Sequence, residues 1–435
     1  MKNINERPSE KSVYIWNIVG NIGNALLSVI VLMIVIRLLD DKEADIFSIA
    51  WSISQLMVTI ATFQIRMYQA TDVTGVFCFE QYLIYRYITI GIMLVCSCAY
   101  IVIRGYTGEK ALVVLLMCVF RAVDSLADVY EGWFQLKERL DLAGKALTFR
   151  IVAAVFGFGI GLAISHSLVW SSIVLIAVYI VCFFVYTFRY YQSVVAFREH
   201  KRYTNEEKTW VVKMTVEGFP LFINAFLMLS IMNAPKMELD TAIQQGMVMQ
   251  GAQTIFNIIF MPASFLNLAY IVFRPLITKM AIMWNLDKIK NFLKILVTIG
   301  ICLLFMAIGL LFGSYFLGIP VLSVLYAIDL SGYKKDLLII IVGGCVYAFG
   351  AVLDNALVVM RRQYVLLLSY VVTYVYIRIV TGVFVERFGI MGGSLSYATA
   401  MVVFFVVTLL MFLICIGNVY IKKKIIRKKE EEDEF

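Results

Sequence analysis

Apolar runs of about 20 residues or more recur along the whole chain, separated by short polar stretches. A bilayer core about 30 Å thick takes roughly 20 apolar residues of helix to cross. Only helices or closed barrels satisfy their backbone groups in lipid. The runs are continuous rather than alternating, so they read as helices. No water-soluble core of this length would hide a sequence that is 61% hydrophobic and 16% charged, against about 25% charged in soluble domains. The fold class expected is therefore an all-α membrane protein of about 12 transmembrane helices. The expected spans are 13–38, 46–66, 83–103, 111–133, 147–166, 168–188, 212–233, 246–273, 290–316, 335–360, 364–386 and 391–420. Spans 4 and 10 are the least regular, because both carry charge.

A formal charge of +8 would suit nucleic acid, but the basic residues sit mainly between apolar runs, and no nucleic-acid partner is expected. The eight cysteines lie in or beside those runs. Cys96 and Cys98 form a lone pair without partner histidines, so neither disulfides nor a metal are expected. The two histidines, His166 and His200, fall in a short turn and a linker. No Ser-His-Asp, metal-ligand or phosphate-loop arrangement appears. The large outer loop of a membrane polymerase or glycosyltransferase is missing as well. A transporter rather than an enzyme is expected, with no cofactor. The first run, Val13 to Leu39, is too long for a signal-peptide core and reads as a retained anchor.

Placing the N-terminus in the cytoplasm puts most Lys and Arg residues on the cytoplasmic side, so both termini are expected there. The basic stretch Arg189 to Lys213 divides the spans six and six. Residues 1–190 form an expected N-terminal lobe, 191–213 a cytoplasmic linker, 214–420 a C-terminal lobe and 421–435 a charged tail. A parallel duplication fits this division. Arg66 and Arg274 would correspond, as would Asp128 and Asp354.

Lipid-facing surfaces do not carry rows of polar groups, so a polar stripe at helical spacing marks an interior or a wet cavity. Span 1 has Asn17, Asn21, Asn24 and Ser28, with Gly20 and Gly23 between them. Span 2 has Ser52, Gln55, Thr59, Thr62, Arg66 and Gln69. Span 8 has Gln253, Asn257, Ser264, Asn267 and Arg274, and span 11 has Tyr370, Tyr374, Arg378 and Thr381. Intramembrane charges are costly and are kept where they pair or act. Those assigned to spans are Arg121, Asp124 and Asp128 in span 4, Glu217 in span 7, Asp354 in span 10 and Arg378 in span 11. Arg121 and Asp124 could simply pair at i, i+3. Asp124 and Asp128 share a helix face, and two such carboxylates in low dielectric would rarely both ionise. This makes them, with Glu217 and Asp354, candidates for ion coupling. Arg66, Arg121, Arg274 and Arg378 form a candidate anion clamp, since arginine stays charged when desolvated and binds phosphate bidentately. Pro220 and Pro262, inside spans 7 and 8, would kink their helices.

Several segments carry a resemblance: Trp16-Asn17-Ile18-Val19-Gly20-Asn21, Gln64-Ile65-Arg66-Met67-Tyr68-Gln69-Ala70-Thr71-Asp72, Asn233-Ala234-Pro235-Lys236-Met237, Phe273-Arg274-Pro275-Leu276 and Gly389-Ile390-Met391-Gly392-Gly393-Ser394. With them the chain resembles the polysaccharide-repeat-unit flippases of the multidrug, oligosaccharidyl-lipid and polysaccharide exporter superfamily. The resemblance implies two six-helix lobes around a central cavity that opens alternately to each side of a bacterial cytoplasmic membrane. It implies export of an undecaprenyl-diphosphate-linked oligosaccharide for capsule or exopolysaccharide. Cationic cavity residues would engage the diphosphate or acidic sugars, and Arg66 and Arg274 match that role. The implied partners are this lipid-linked substrate, membrane lipids, H+ or Na+ as coupling ion, and a polysaccharide polymerase. A small-molecule exporter of the same superfamily and a membrane enzyme of glycan assembly are the alternatives.

Overall fold

A computed structural model describes residues 9–72, 76–195, 209–264, 276–277 and 279–433. Among the described residues the regular structure is helical. The helices are α1 (Glu10–Leu38), α2 (Asp41–Thr62), α3 (Ile65–Thr71), α4 (Phe79–Ile103), α5 (Gly108–Leu136), α6 (Leu140–Ser165), α7 (Leu168–Cys182), α8 (Arg189–Val195), α9 (Trp210–Gln244) and α10 (Ala252–Phe260). They continue with α11 (Ile289–Gly313), α12 (Ile319–Tyr326), α13 (Lys334–Val359), α14 (Gln363–Phe388) and α15 (Ile390–Asp433). Single π-helical turns, Phe183–Phe188 and Ser314–Gly318, join α7 to α8 and α11 to α12.

Among the described residues, ten helical stretches are long and apolar enough to cross a membrane. They correspond to all the expected spans except 4 and 8. Span 4 is present as α5, but Arg121, Asp124, Asp128 and Glu131 give it more charge than a membrane-crossing stretch of the others carries. Span 8 begins as α10, closes in a 3-10 turn at Met261–Ser264, and then runs into residues outside the described set. Span 7 is longer than expected: α9 continues to Gln244 through both Pro220 and Pro235. Pro220 therefore interrupts no helix, while Pro262 lies in the terminating 3-10 turn. The expected linker falls mostly on residues outside the description, as do His200 and Arg274.

Local signals explain the boundaries. Asp40 caps α2, its Oδ1 accepting the Glu43 N–H at 2.8 Å. Asp40→Ala should cost about 1 kcal/mol, read as a lower unfolding midpoint of the purified protein in detergent. Two consecutive non-glycine residues in the left-handed region, Phe63 (φ 44) and Gln64 (φ 53), separate α2 from α3. Such residues are uncommon and persist where the surroundings fix them. Here they redirect the chain just before Arg66.

The chain divides into two compact units, Met1–Leu229 and Ser230–Phe435, so the division falls inside α9. In the first unit, α5 packs against α2, α3, α4, α6 and α7, while α1 lies along α6. In the second, α15 lies along α13 and α14, and α13 also meets α10 and α11. One helix pair keeps a common register between the two units. Leu140–Ser165 and Gln363–Phe388 are both 26 residues long and are displaced by the same 223 residues at each end. Left-handed helix ends keep that register: Glu138 matches Arg361, and His166 matches Gly389. In this register Asp354 aligns with Glu131, not with Asp128 as the sequence suggested.

Candidate functional site

The first unit contains a largely buried chain of seven alternating charges. Four residues of α5, Arg121, Asp124, Asp128 and Glu131, lie three or four positions apart and so share one helix face. Three arginines from neighbouring helices complete it: Arg66 of α3, Arg86 of α4 and Arg150 of α6. Arg86 Nη2 donates to Asp128 Oδ2 at 2.9 Å, and Arg66 Nη1 donates to Asp128 Oδ1 at 2.8 Å. The same Arg66 nitrogen reaches Glu131 Oε2 at 3.1 Å. Arg150 Nη2 donates to Glu131 Oε1 at 2.9 Å and to Asp124 Oδ1 at 3.3 Å. Arg121 Nη1 closes the row on Asp124 Oδ2 at 3.4 Å.

Each carboxylate thus lies between two guanidinium groups, and an arginine stands at either end. At one end Arg86 also donates to the Ala61 carbonyl at 2.7 Å. At the other, the Arg121 guanidinium sits 4.7 Å from the Trp51 ring and 5.0 Å from the Phe120 ring. Arg150 lies 5.3 Å over Tyr179. Aromatic faces attract cations most when both are desolvated, so these rings favour the charged form without neutralising it. Four guanidinium groups against three carboxylates leave one positive charge in excess. Buried donors remain too: Arg121 Nε, Arg150 Nε and Arg150 Nη1 have no hydrogen-bond acceptor. Among the four arginines, Arg66 alone keeps substantial exposure, at 33% of its side chain, against 2% for Arg86 and Arg150 and 6% for Arg121. An anion reaching this network meets Arg66 first.

The network changes how several expected site residues read. Arg66 and Arg121 are brought into one cluster, but both are already paired. Asp124 and Asp128 are not an isolated like-charge pair, because Arg121 and Arg150 flank the first and Arg66 and Arg86 the second. The repulsion expected between them is offset by helices that the α5 sequence does not show. The hydroxyls of the α2 stripe are mostly satisfied within their own helix. Ser52 donates to the Ser48 carbonyl at 2.9 Å, Thr59 to Leu56 at 2.6 Å and Thr62 to Thr59 at 3.3 Å. Gln55 is half-buried, and Gln69 donates across to the Val129 carbonyl at 3.1 Å. On α1, Asn21 and Asn24 are exposed, and Asn21 Nδ2 bonds Asn17 Oδ1 at 2.9 Å. Glu217 on α9 stands beside Tyr68, with Oε2 buried and unpartnered.

In the second unit Arg378 is exposed on α14. Asp354 accepts the Tyr370 hydroxyl at 2.8 Å. Gln253 and Asn257 are buried on α10. Among the described residues the alternating row has no counterpart in this unit: at the 223-residue register Arg121, Asp124, Asp128 and Arg150 correspond to Gly344, Tyr347, Ala351 and Thr373.

Arg86, Glu131 and Arg150 escaped the sequence reading. All three lie within a few residues of an expected span boundary, where a charge passes for an interfacial anchor. The available signal was Glu131, which extends the Asp124–Asp128 face by three residues.

No family model matches the sequence, and no curated protein matches it. Solved structures do match in shape. An inward-facing multidrug resistance MATE family transporter of the MOP superfamily gives a TM-score of 0.67 at 12% identity, covering 92% of this chain and 96% of that one. A variant of the Vibrio cholerae MATE transporter VcmN gives 0.64 at 10% identity, covering 94% and 97%. The lipid II flippase MurJ in an inward closed conformation gives 0.63 at 14% identity, covering 95% and 93%. At these identities the likeness establishes the fold. The chain is a multi-pass helical membrane protein with the fold of MOP-superfamily transporters.

Proposed function

We propose that this chain is a flippase that moves an undecaprenyl-diphosphate-linked oligosaccharide repeat unit across the bacterial cytoplasmic membrane, for capsule or exopolysaccharide assembly. The observation that carries this reading is the charge row of the first unit, with its single positive excess and the partly exposed Arg66. A diphosphate is acceptor-only and doubly bidentate, which suits guanidinium donors. A cationic drug would meet a net positive interior. The lipid tail stays in the bilayer while the headgroup crosses a polar route by alternating access. Twelve spans with both termini cytoplasmic complete the topology. Arg66, on the segment after span 2, then lies toward the cytoplasmic side, where the substrate is made. Arg274 and Arg378 are further proposed anion contacts, and Asn17, Asn21, Asn24, Gln55 and Thr59 line the route. H+ or Na+ drives the cycle, with Asp124, Asp128, Glu217 and Asp354 as candidate carriers of the ion. A polysaccharide polymerase receives the product.

A charge-assisted hydrogen bond contributes roughly 1.5–3 kcal/mol. Arg66→Gln should therefore slow translocation of the lipid-linked oligosaccharide in proteoliposomes by about 10- to 100-fold at limiting substrate. Arg66→Lys, which keeps the charge and loses the fork, should fall between the two. Normal translocation and normal surface polysaccharide with Arg66→Gln would reject the clamp. The small-molecule exporter is favoured by the multidrug transporters among the structures of similar shape. It predicts altered drug susceptibility with intact polysaccharide in a deletion strain, where the flippase predicts the reverse.

A further inference from the structure

Arg66 is held by two carboxylates, and each of them is held a second time. Asp128 gives Oδ1 to Arg66 and Oδ2 to Arg86, while Glu131 gives Oε2 to Arg66 and Oε1 to Arg150. Both Arg66 contacts use the same nitrogen, Nη1, so the other two nitrogens of its fork take no part in these pairs. If Arg66 left, every carboxylate of the row would keep one arginine: Asp128 with Arg86, Glu131 with Arg150 and Asp124 with Arg121. On count alone any of the four arginines could leave. Burial selects Arg66, at 33% side-chain exposure, since the other three, at 6% or less, have no water or anion to move to.

The backbone of this arginine does not share that freedom. Gln69, one turn further along α3, donates to the Val129 carbonyl at 3.1 Å. A Cβ at Gly132 would collide with Gln69 Oε1 and come within 3.3 Å of Arg66 Cγ, so α3 lies directly on α5. Arg86 fixes the segment from the other side. The Ala61 carbonyl stands in the last turn of α2, where a helix leaves its carbonyls without partners. It accepts from Arg86 Nη1 and Thr89 Oγ1, each at 2.7 Å. One guanidinium therefore ties the end of α2, just before the left-handed pair Phe63 and Gln64, to Asp128 on α5.

Removing the partner of a buried charge is costly because the charge left behind has no solvent to replace it. We propose that Arg86 is a positioning residue: by holding Asp128 permanently, it lets the Arg66 side chain swing off α5 without leaving a bare carboxylate. Arg150 does the same for Glu131. The spare positive charge of the row is then a movable one, carried on a fixed backbone. This deepens the flippase reading and rests on it for the anion that receives Arg66.

The test reacts the full-length protein in nanodiscs with phenylglyoxal and follows each arginine adduct by peptide mass. The rate at one arginine reports how often its guanidinium leaves its partners. Arg66 should react about tenfold faster, or more, than Arg86 and Arg150. Arg86→Met should slow the Arg66 reaction about tenfold, because Asp128 then turns to Arg66 alone. Arg86→Lys, which keeps a second charge on Asp128, should leave it near the parental rate. Asp128→Asn should speed it, and in that background Arg86→Met should change nothing. A merely structural role for Arg86 predicts the opposite sign, since a loosened fold exposes every arginine of the row. Thr89→Val removes the other donor to the Ala61 carbonyl and should not alter the Arg66 rate. Equal rates at Arg66 and Arg86 in the parent would overturn the proposal. So would an Arg66 rate that Arg86→Met leaves unchanged or raises, the same slowing in the Asp128→Asn background, or slowing by Thr89→Val, which would place the effect at the end of α2. Should Arg86→Met fail to fold, Asp128→Asn decides alone, and no gain in the Arg66 rate overturns the proposal. Inorganic pyrophosphate separates this from the flippase reading. Failure to protect Arg66 in the parent removes the diphosphate clamp and keeps the exchange; protection without any response to Arg86→Met does the reverse.

Discussion

Arg150→Met will destabilise the first unit by about 3–5 kcal/mol, the usual cost of removing one partner from a buried ion pair. Arg150 is 2% exposed and bridges Glu131 and Asp124, and Glu131 is itself only 5% exposed. Without the guanidinium, Glu131 depends on Arg66 alone and Asp124 on Arg121 alone. Neither remaining contact is short: 3.1 Å to Arg66 and 3.4 Å to Arg121. Adding Glu131→Gln should recover much of the loss. The glutamine is neutral, can still accept from Arg66, and restores the excess of one positive charge, with three arginines facing two carboxylates. Unfolding in mixed detergent micelles gives the comparison. A double variant as unstable as the single one would mean that Arg150 acts through packing on Tyr179 rather than through charge. If instead the row exists to be engaged by an anion, the double variant should fold well yet translocate poorly. That outcome separates a structural role from a functional one.

Much of the architecture was readable because lipid makes strict demands of a helix. Run length fixed where most spans lie, and ten of them reappear as helices long and apolar enough to cross. Span 4 departs for a physical reason. α5 is charged because it is the hub on which three neighbouring helices place arginines, so its own composition understates its burial. α9 passes through Pro220 and Pro235 without a break, since proline is tolerated in membrane helices where no water competes for the backbone.

At the site, the Arg121–Asp124–Asp128 face was legible as a pattern within one helix. Its partners were not. Arg66, Arg86 and Arg150 lie on separate segments, and only tertiary packing brings them to α5. The inference that Asp124 and Asp128 repel one another was sound for the helix alone and failed because the counter-charges come from elsewhere. The repeat was similarly half visible. Matching charged residues paired Asp128 with Asp354, whereas the backbone register pairs Glu131 with Asp354.

Gly144→Leu is expected to separate α1 from α6 and to cost about 3 kcal/mol or more, as overpacking does where backbone cannot yield. A Cβ at Gly144 would collide with the Trp16 carbonyl group and come within 2.8 Å of the Asn17 nitrogen. The obstruction is backbone of a neighbouring helix, not the movable end of a side chain. The reverse contact is nearly as close, with a Cβ at Gly20 lying 3.1 Å from the Gly144 carbonyl oxygen. Gly23→Ala is the control, because its new methyl would meet only Ile151 at 3.7 Å, an ordinary contact, and alanine is the better helix former. The unfolding midpoint should fall sharply for the first variant and hold or rise for the second. The consequence reaches function through geometry. Gly20 and Gly144 hold α1 against α6, with Asn21 and Asn24 exposed beside that contact. Gly144→Ala, if it folds, shifts α1 without touching a charged residue. A translocation rate that drops with Gly144→Ala but not with Gly23→Ala would place the asparagine face on the substrate route. Equal rates in both would confine this glycine contact to holding the fold.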